Sequence, residues 1–166
     1  MKGRKVRNRI KFAAVAGVAT LALSAQSAWA AAATGTLTVT ASVTSVCTVS
    51  DATLAFGDYN PTVAKDATAT VNVQCTKDTA YTLYSATVSA ERIMTSANAS
   101  SSLNYELYTD TGRTTIFSTG GTSVGGITGS GTGLAQSNTI YGRIAANQAA
   151  AVATDYTHSA NLTISY

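Results

Sequence analysis

Two cysteines, Cys47 and Cys75, are the side chains best suited to covalent chemistry in this chain. In an oxidising compartment such a pair forms a disulfide, and on the chain-entropy estimate closing this loop would add about 3–4 kcal/mol of stability. A structural zinc site usually takes four protein ligands, whereas the chain offers two thiols and one histidine. A redox pair is more often spaced C-x-x-C. We therefore predict a Cys47–Cys75 disulfide.

The other candidate chemical residues favour structural interpretations. Gly121–Gly125 matches the G-x-S-x-G pattern of serine hydrolases, but that motif needs a strand–turn–helix elbow, and here it lies in a glycine-rich loop. His158, the sole histidine, is interpreted as a structural residue at the start of the last strand. Asp51, Asp58 and Asp66 do not have the spacing of a calcium loop and are interpreted as turn residues. We predict no enzyme activity, no metal and no cofactor.

The first thirty residues have the pattern of a secretory signal peptide. A basic segment (2–11) precedes a short apolar core (12–23) and a small-x-small site ending at Ala30, so cleavage is predicted between Ala30 and Ala31. The alternative, an uncleaved membrane anchor, is disfavoured because about a dozen apolar residues fall short of the roughly 20 that span a bilayer. Stable membrane insertion is therefore not expected.

Removal of this segment reverses the sign of the charge. Six of the 11 basic residues leave with it, so five remain against eight acidic residues, a formal net charge of −3. The basic isoelectric point of the whole chain belongs to the signal peptide and does not support a nucleic-acid partner.

The remaining 136 residues fit one domain, and their apolar pattern is that of short strands. Thr34–Val49 alternates, with Leu37, Val39, Ala41 and Val43 on one face and hydroxyl residues on the other. Ser118–Thr139 and Thr95–Ser102 are expected to be loops. Further strands are predicted at Thr53–Phe56, Ala67–Cys75, Ala80–Val88, Leu103–Tyr108, Thr114–Phe117, Ile140–Ala145 and Tyr156–Tyr166.

Seven or eight short strands are typical of an all-β, immunoglobulin-like sandwich. The leading strand is set off from Cys47, and the last predicted strand runs to Tyr166. This arrangement indicates an incomplete sandwich that a strand from a neighbouring subunit completes. We predict a signal peptide at 1–30, an N-terminal donor-strand extension at 31–45 and the sandwich domain at 46–166.

The motifs resemble those of the spore coat protein U family, which includes the major pilins of archaic chaperone–usher pili. The resemblance spans nearly the whole chain after the signal. It rests on Thr34-Gly35, Cys47-Thr48-Val49, Leu54-x-Phe56-Gly57, Val73-x-Cys75, Leu103-Asn104-Tyr105-x-Leu107-Tyr108-x-Asp110-x-x-Arg113, Ile140-Tyr141-Gly142-Arg143-Ile144, Asp155-Tyr156 and Leu162-Thr163-Ile164-Ser165-Tyr166.

The resemblance implies a pilin-type subunit that passes through the periplasm to a surface pilus. A periplasmic chaperone would lend a strand to the groove, and at an outer-membrane usher the next copy's N-terminal extension would replace it by β-strand addition. Leu37, Val39, Ala41 and Val43 would then be the plugs of the donor strand. The expected partners are other pilin copies, the chaperone and the usher, and the expected output is adhesion and biofilm formation, in a shaft or linker role.

Two other functions remain open. One is a spore or surface coat protein with the same fold and strand exchange. The other is a monomeric secreted lectin-like module, whose sugar platform would come from tyrosines, although tyrosines on strands more often serve in cross-strand packing. The tyrosines in question are Tyr81, Tyr84, Tyr105, Tyr108, Tyr141, Tyr156 and Tyr166.

Overall fold

The computed structural model describes residues 31–166, so the predicted signal peptide, with Ala30 of its cleavage site, lies outside the described residues. The chain divides into two units, the first ending at Thr40 and the second spanning Ala41–Tyr166. In the first unit, residues 31–40 are exposed and have no regular secondary structure. In the second unit, residues 41–46 have the same character.

Antiparallel strands make up the second unit. Within the described residues there are nine of them, with a single-turn 3-10 helix at Ser89–Glu91. The strands are β1 (Cys47–Val49), β2 (Lys65–Cys75), β3 (Ala80–Ser85), β4 (Ile93–Ser96), β5 (Ser101–Asn104), β6 (Glu106–Tyr108), β7 (Ile127–Ser130), β8 (Ala135–Ile144) and β9 (Leu162–Ser165).

The strands form two main sheets and a hairpin. One sheet has the order β1-β2-β8-β6 and the other has the order β7-β3-β9, while β4 and β5 pair with each other. The longest pairing joins β2 to β8 from Lys65↔Ile144 to Gln74↔Ala135. Alternation explains this pairing, because along β2 every second residue from Ala69 onward is buried while its neighbours are exposed.

The core lies between the two sheets. Its buried members are Val71, Val73 and Cys75 from β2, Tyr81 and Leu83 from β3, Leu107, Phe117 and Ile140. Side chains from both sheets therefore close on one apolar layer, and the predicted all-β sandwich is confirmed.

The predicted disulfide is also confirmed. Cys47 and Cys75 are direct partners in the β1–β2 register, and their sulfur atoms are bonded. The bond closes a loop with a sequence separation of 28 residues. It fixes the short strand β1 to the edge of the longer strand β2.

Several predicted strands differ from the structure. Thr114–Phe117 contains only an isolated bridge, in which Ile116 pairs with Tyr108. The predicted strand Ala80–Val88 ends at Ser85, Leu103–Tyr108 is divided at Tyr105, and Tyr156–Tyr166 is a strand only over Leu162–Ser165. Of Thr34–Val49, only Cys47–Val49 pairs with another strand. Thr53–Phe56 has no regular secondary structure, because its backbone makes no hydrogen bond to another described residue. Its alternate apolar side chains, Leu54 and Phe56, still face the interior of the sandwich.

Both predicted loops contain strands, so the assignments of Ser118–Thr139 and Thr95–Ser102 as loops were wrong. The first contains all of β7 and the start of β8, and the second contains part of the β4–β5 hairpin. These segments are rich in small polar residues and lack an apolar period. Pairing with β3 and β2 in the first segment, and pairing within the hairpin in the second, gives them strand structure.

Within residues 31–166, no helix has the length and apolar character needed to cross a bilayer.

Candidate functional site: a groove beside two edge strands

Two strands at the edges of opposite sheets border the candidate site. Strand β1 ends the four-stranded sheet and strand β9 ends the three-stranded sheet, and within the described residues each pairs with a single neighbour. The two strands approach each other. An edge strand presents a row of unpaired backbone N–H and C=O groups that another strand can pair with. The second unit thus offers strand-pairing capacity on both sides of one opening.

A groove with an apolar floor and partly polar walls runs between these edges. Its first cavity has a volume of about 650 Å³. The floor is the core itself, at Val71, Leu107 and Ile140, and the walls include Val49 of β1 and Leu162 of β9. These walls are partly buried hydrophobic residues that pack against the core. The groove therefore opens directly onto the hydrophobic layer of the sandwich.

A second cavity of about 640 Å³ continues the groove toward the Ile144 end of β8. Leu54, Phe56 and Met94 line both cavities. The segment that carries Leu54 and Phe56 is unpaired, since residues 51–58 donate and accept no backbone hydrogen bond with other described residues. The groove is thus flanked by further free backbone as well as by the two edge strands.

Gly142 explains how this segment is held against the sandwich. It lies on the inner face of β8 between Ile140 and Ile144. A Cβ atom at Gly142 would lie 2.9 Å from Leu54 Cδ1 and 2.9 Å from Phe56 Cζ. The missing side chain therefore makes the space that the ends of Leu54 and Phe56 fill, which couples two sequence motifs far apart in the chain.

A cluster of Phe56, Tyr105 and His158 lines the first cavity. The Tyr105 hydroxyl and His158 Nδ1 are 2.8 Å apart, and the Tyr105 ring contacts Phe56 edge-on with 6.1 Å between centroids. Burial raises the pKa of the Tyr105 hydroxyl, an effect that Glu106 reinforces and Arg92 opposes. Tyr105 therefore stays protonated and able to donate at neutral pH.

Comparison with known families decides the identity of this chain. The model of the Spore Coat Protein U domain matches residues 33–163, well over half of the chain. The chain belongs to the Spore Coat Protein U domain family.

Comparisons with curated proteins and with solved structures give weaker likenesses. No curated protein matches this chain. One similar solved structure is the CsuC–CsuE chaperone–tip adhesion subunit pre-assembly complex from archaic chaperone-usher Csu pili of Acinetobacter baumannii. The identity is 12% and the TM-score is 0.44, and the match covers 74% of this chain but 40% of the solved chain.

The predicted donor residues of this Spore Coat Protein U domain are exposed. Leu37 is 86% exposed, Val39 is 81% exposed and Val43 is 84% exposed, and Ala41 is exposed as well. Three large apolar side chains in one short segment are thus in contact with water. Whether they act as plugs stays a prediction, as does the boundary at residues 45 and 46.

The remaining candidate residues of the domain are not brought together into a catalytic or metal site. Gly121–Gly125 lies in a loop that leads into β7 rather than into a helix. Asp66 binds Arg143 with bonds of 2.7 and 2.9 Å on the exposed face of β2, whereas Asp51 lines the groove. Within residues 31–166, no group of three or more potential ligands is arranged to hold a metal.

Sequence reasoning missed a buried ion pair behind the groove. Arg92 is 1% exposed, and its guanidinium binds the Glu106 carboxylate. It also donates to the carbonyl oxygens of Phe117 (2.5 Å) and Ser118 (2.9 Å), while the Ser89 hydroxyl donates to Glu106. A lone arginine beside a short helix carries no signal of burial, so the sequence did not indicate this network.

Proposed function

We propose that this protein is the structural subunit of a surface pilus that assembles by donor-strand exchange through the chaperone–usher pathway. One observation carries the proposal. The domain has a groove with an apolar floor that is bordered by two edge strands. The same chain has an exposed segment without strand pairing, whose alternating pattern is the one that such a groove accepts.

The occupant of the groove is residues 31–45 of a second copy. Its four alternate residues, Leu37, Val39, Ala41 and Val43, span about 20 Å as an extended strand. Burying a Val or Leu side chain contributes roughly 1.5–3 kcal/mol, so the set supplies about 5–8 kcal/mol before ordering costs. New backbone hydrogen bonds along β9 would add to this and slow dissociation.

Subunit exchange also accounts for the partners. A groove that opens onto the core is an aggregation hazard before assembly, so a periplasmic chaperone would cover it and an outer-membrane usher would catalyse the replacement. The finished fibre would lie on the cell surface and support adhesion and biofilm formation. The donor segment's hydroxyl face, with Thr36, Thr38 and Thr40, would point to solvent.

The first test is truncation. The chain from Ala31 to Tyr166 is compared with a chain that begins at Thr44, by size-exclusion chromatography with light scattering. We expect the longer chain to form polymers and the shorter chain to remain monomeric. A monomeric longer chain, with no association lost on truncation, would contradict the proposal.

A matched pair of variants tests the face of the donor strand. Val39→Asp places a charge on the apolar face, and Thr38→Asp places the same charge on the hydroxyl face. Losing a buried Val and burying a carboxylate weaken docking by at least about a hundredfold. We expect Val39→Asp to block assembly and Thr38→Asp to permit it. Equal effects of the two variants would show that the face is wrongly assigned.

A coat protein is the second candidate function, and the description of the matched family favours it. It would use the same groove and donor segment, so truncation does not separate the two. Electron microscopy of the producing cells does, because thin fibres indicate a pilus and a continuous layer indicates a coat. A lectin-like module would instead bind glycans as a monomer on a glycan array.

A further inference from the structure

His158 is placed where an incoming strand would cover it. It lines the first cavity together with Ala160 and Leu162, which lead into the edge strand β9. Its Nδ1 atom is 2.8 Å from the Tyr105 hydroxyl. The preceding residue, Thr157, is held by backbone hydrogen bonds in both directions with Thr95, which fixes the position of the imidazole in the groove.

The surroundings of His158 are poor in compensating charge. Its cavity is lined by three ionisable side chains from the described residues, namely His158, Tyr105 and Asp51. Behind Tyr105, Arg92 and Glu106 neutralise each other in their buried ion pair. From the segment opposite, the aromatic ring of Phe56 reaches the groove. Asp51 is thus the one carboxylate on this cavity that could favour an imidazolium.

The hydrogen bond with Tyr105 fits a neutral imidazole. A neutral ring can accept at Nδ1 from the phenolic hydroxyl, whereas an imidazolium has two donors and no acceptor. Burial keeps the Tyr105 hydroxyl protonated and raises its pKa. Protonation of the imidazole would therefore oblige the hydroxyl to rotate and to accept instead of donate.

We propose that His158 makes strand capture pH-dependent, so that the groove holds a donor strand tightly at neutral pH and releases it on acidification. The inference rests on the proposed function and names a regulation of the same groove. Apolar plugs that enter the cavity exclude water from the imidazole, and desolvation disfavours the charged form. Histidine is the side chain that takes up a proton between about pH 8 and pH 5.

The sign follows from proton linkage. If the empty groove binds a proton that the filled groove excludes, affinity is greatest above the pH range in which histidine takes up a proton and falls as the pH decreases through that range. One excluded proton weakens binding by up to about tenfold for each pH unit below that range. Between pH 7.5 and pH 5.0, we expect the dissociation constant of the donor strand to rise about tenfold or more.

The experiment uses a labelled synthetic peptide of residues 31–45, the proposed donor segment, as the probe. The acceptor is the chain from Ala31 to Tyr166 with Val39→Asp, which retains the groove but is not expected to donate a strand. Fluorescence anisotropy gives the dissociation constant at pH 7.5, 6.5, 5.5 and 5.0. Circular dichroism at each pH verifies that the acceptor is folded. His158→Gln, which can still accept from Tyr105, is the test variant. The control is Asp78→Asn, because Asp78 is an exposed carboxylate that lines neither cavity.

We expect His158→Gln to reduce the change in affinity between pH 7.5 and pH 5.0 to less than twofold, and Asp78→Asn to retain it. The same pH profile with and without His158, or tighter binding at low pH, would overturn the inference while leaving strand exchange intact. A peptide that fails to bind every acceptor at pH 7.5 would instead overturn the proposed function, and the inference with it.

Discussion

Replacing Arg92 tests the buried network behind the groove most directly. Arg92→Met keeps much of the side-chain volume but removes the guanidinium from the Glu106 carboxylate and from the carbonyl oxygens of Phe117 and Ser118. Breaking a buried pair by removing one partner costs about 3–5 kcal/mol. The Glu106 side chain is 21% exposed, so water can reach it, and we expect about 3 kcal/mol.

The assay is urea unfolding of the chain from Ala31 with Val39→Asp, which is not expected to polymerise, and with the disulfide intact. The sole tryptophan, Trp29, lies in the predicted signal peptide, so the transition is followed by far-ultraviolet circular dichroism. A loss of about 3 kcal/mol, at a slope of about 2 kcal/mol per molar urea, lowers the midpoint by about 1.5 M. The double variant Arg92→Met, Glu106→Leu should lose less than the sum of the single variants by about 1–3 kcal/mol.

Arg143→Met is the matched control because it makes the same chemical change at an exposed pair. Arg143 and Asp66 are each more than a third exposed, and exposed ion pairs contribute about 0–1 kcal/mol. Equal losses of stability for Arg92→Met and Arg143→Met, within about 0.5 kcal/mol, would refute the assignment of Arg92 as a buried structural centre.

Three further results are expected. Replacing both Cys47 and Cys75 by Ser should lower the free energy of unfolding in urea by about 3–4 kcal/mol, because the unfolded chain is no longer constrained by the loop. An unchanged urea midpoint would contradict this. The pKa of Asp66 is lowered, chiefly by the hydrogen bond that Arg143 donates to its carboxylate. The ionised Asp66 therefore contributes its full stabilisation of the fold above about pH 4, and this contribution is lost as the pH falls through the lowered pKa. Asp66→Asn should flatten the acid side of a plot of melting temperature against pH, and an unchanged slope would contradict this. Gly142→Ala should cost about 1–3 kcal/mol by overpacking, whereas Gly120→Ala, with no close neighbour, should cost less than 0.5 kcal/mol in the same melt.

Much of the sandwich could be predicted because its strongest strands alternate locally. Strand β2 shows this best, since its apolar residues at every second position are the ones that are buried. Strand β7 shows the limit of such prediction. Ile127–Ser130 has no apolar period of its own, and it is a strand because β3 supplies its hydrogen-bonding partner. Leu103–Tyr108 reads as one strand but is divided at Tyr105, which donates its backbone N–H to the Arg92 carbonyl.

The groove could be predicted only in outline. The family resemblance implied a groove, while the donor strand that the spacing of Leu37, Val39, Ala41 and Val43 predicts stays a prediction. The sequence did not indicate that Leu54 and Phe56 sit in the space left by Gly142. It also did not indicate that His158 would face Tyr105 across 53 residues of chain. Each is a contact between distant segments that no local period encodes.

The sequence by itself determined which face of each alternating strand is apolar, which cysteines pair, and that apolar side chains occupy alternate positions from Leu37 to Val43. These properties depend on residue type and on the two-residue repeat of a strand, and both are local. Only the tertiary structure decided that β1 and β9 lie at sheet edges, that a cavity opens between them onto the core, and that Arg92 is buried with Glu106. Sheet order and burial depend on which distant segments pack together, because the free energy of that packing is shared by the whole fold.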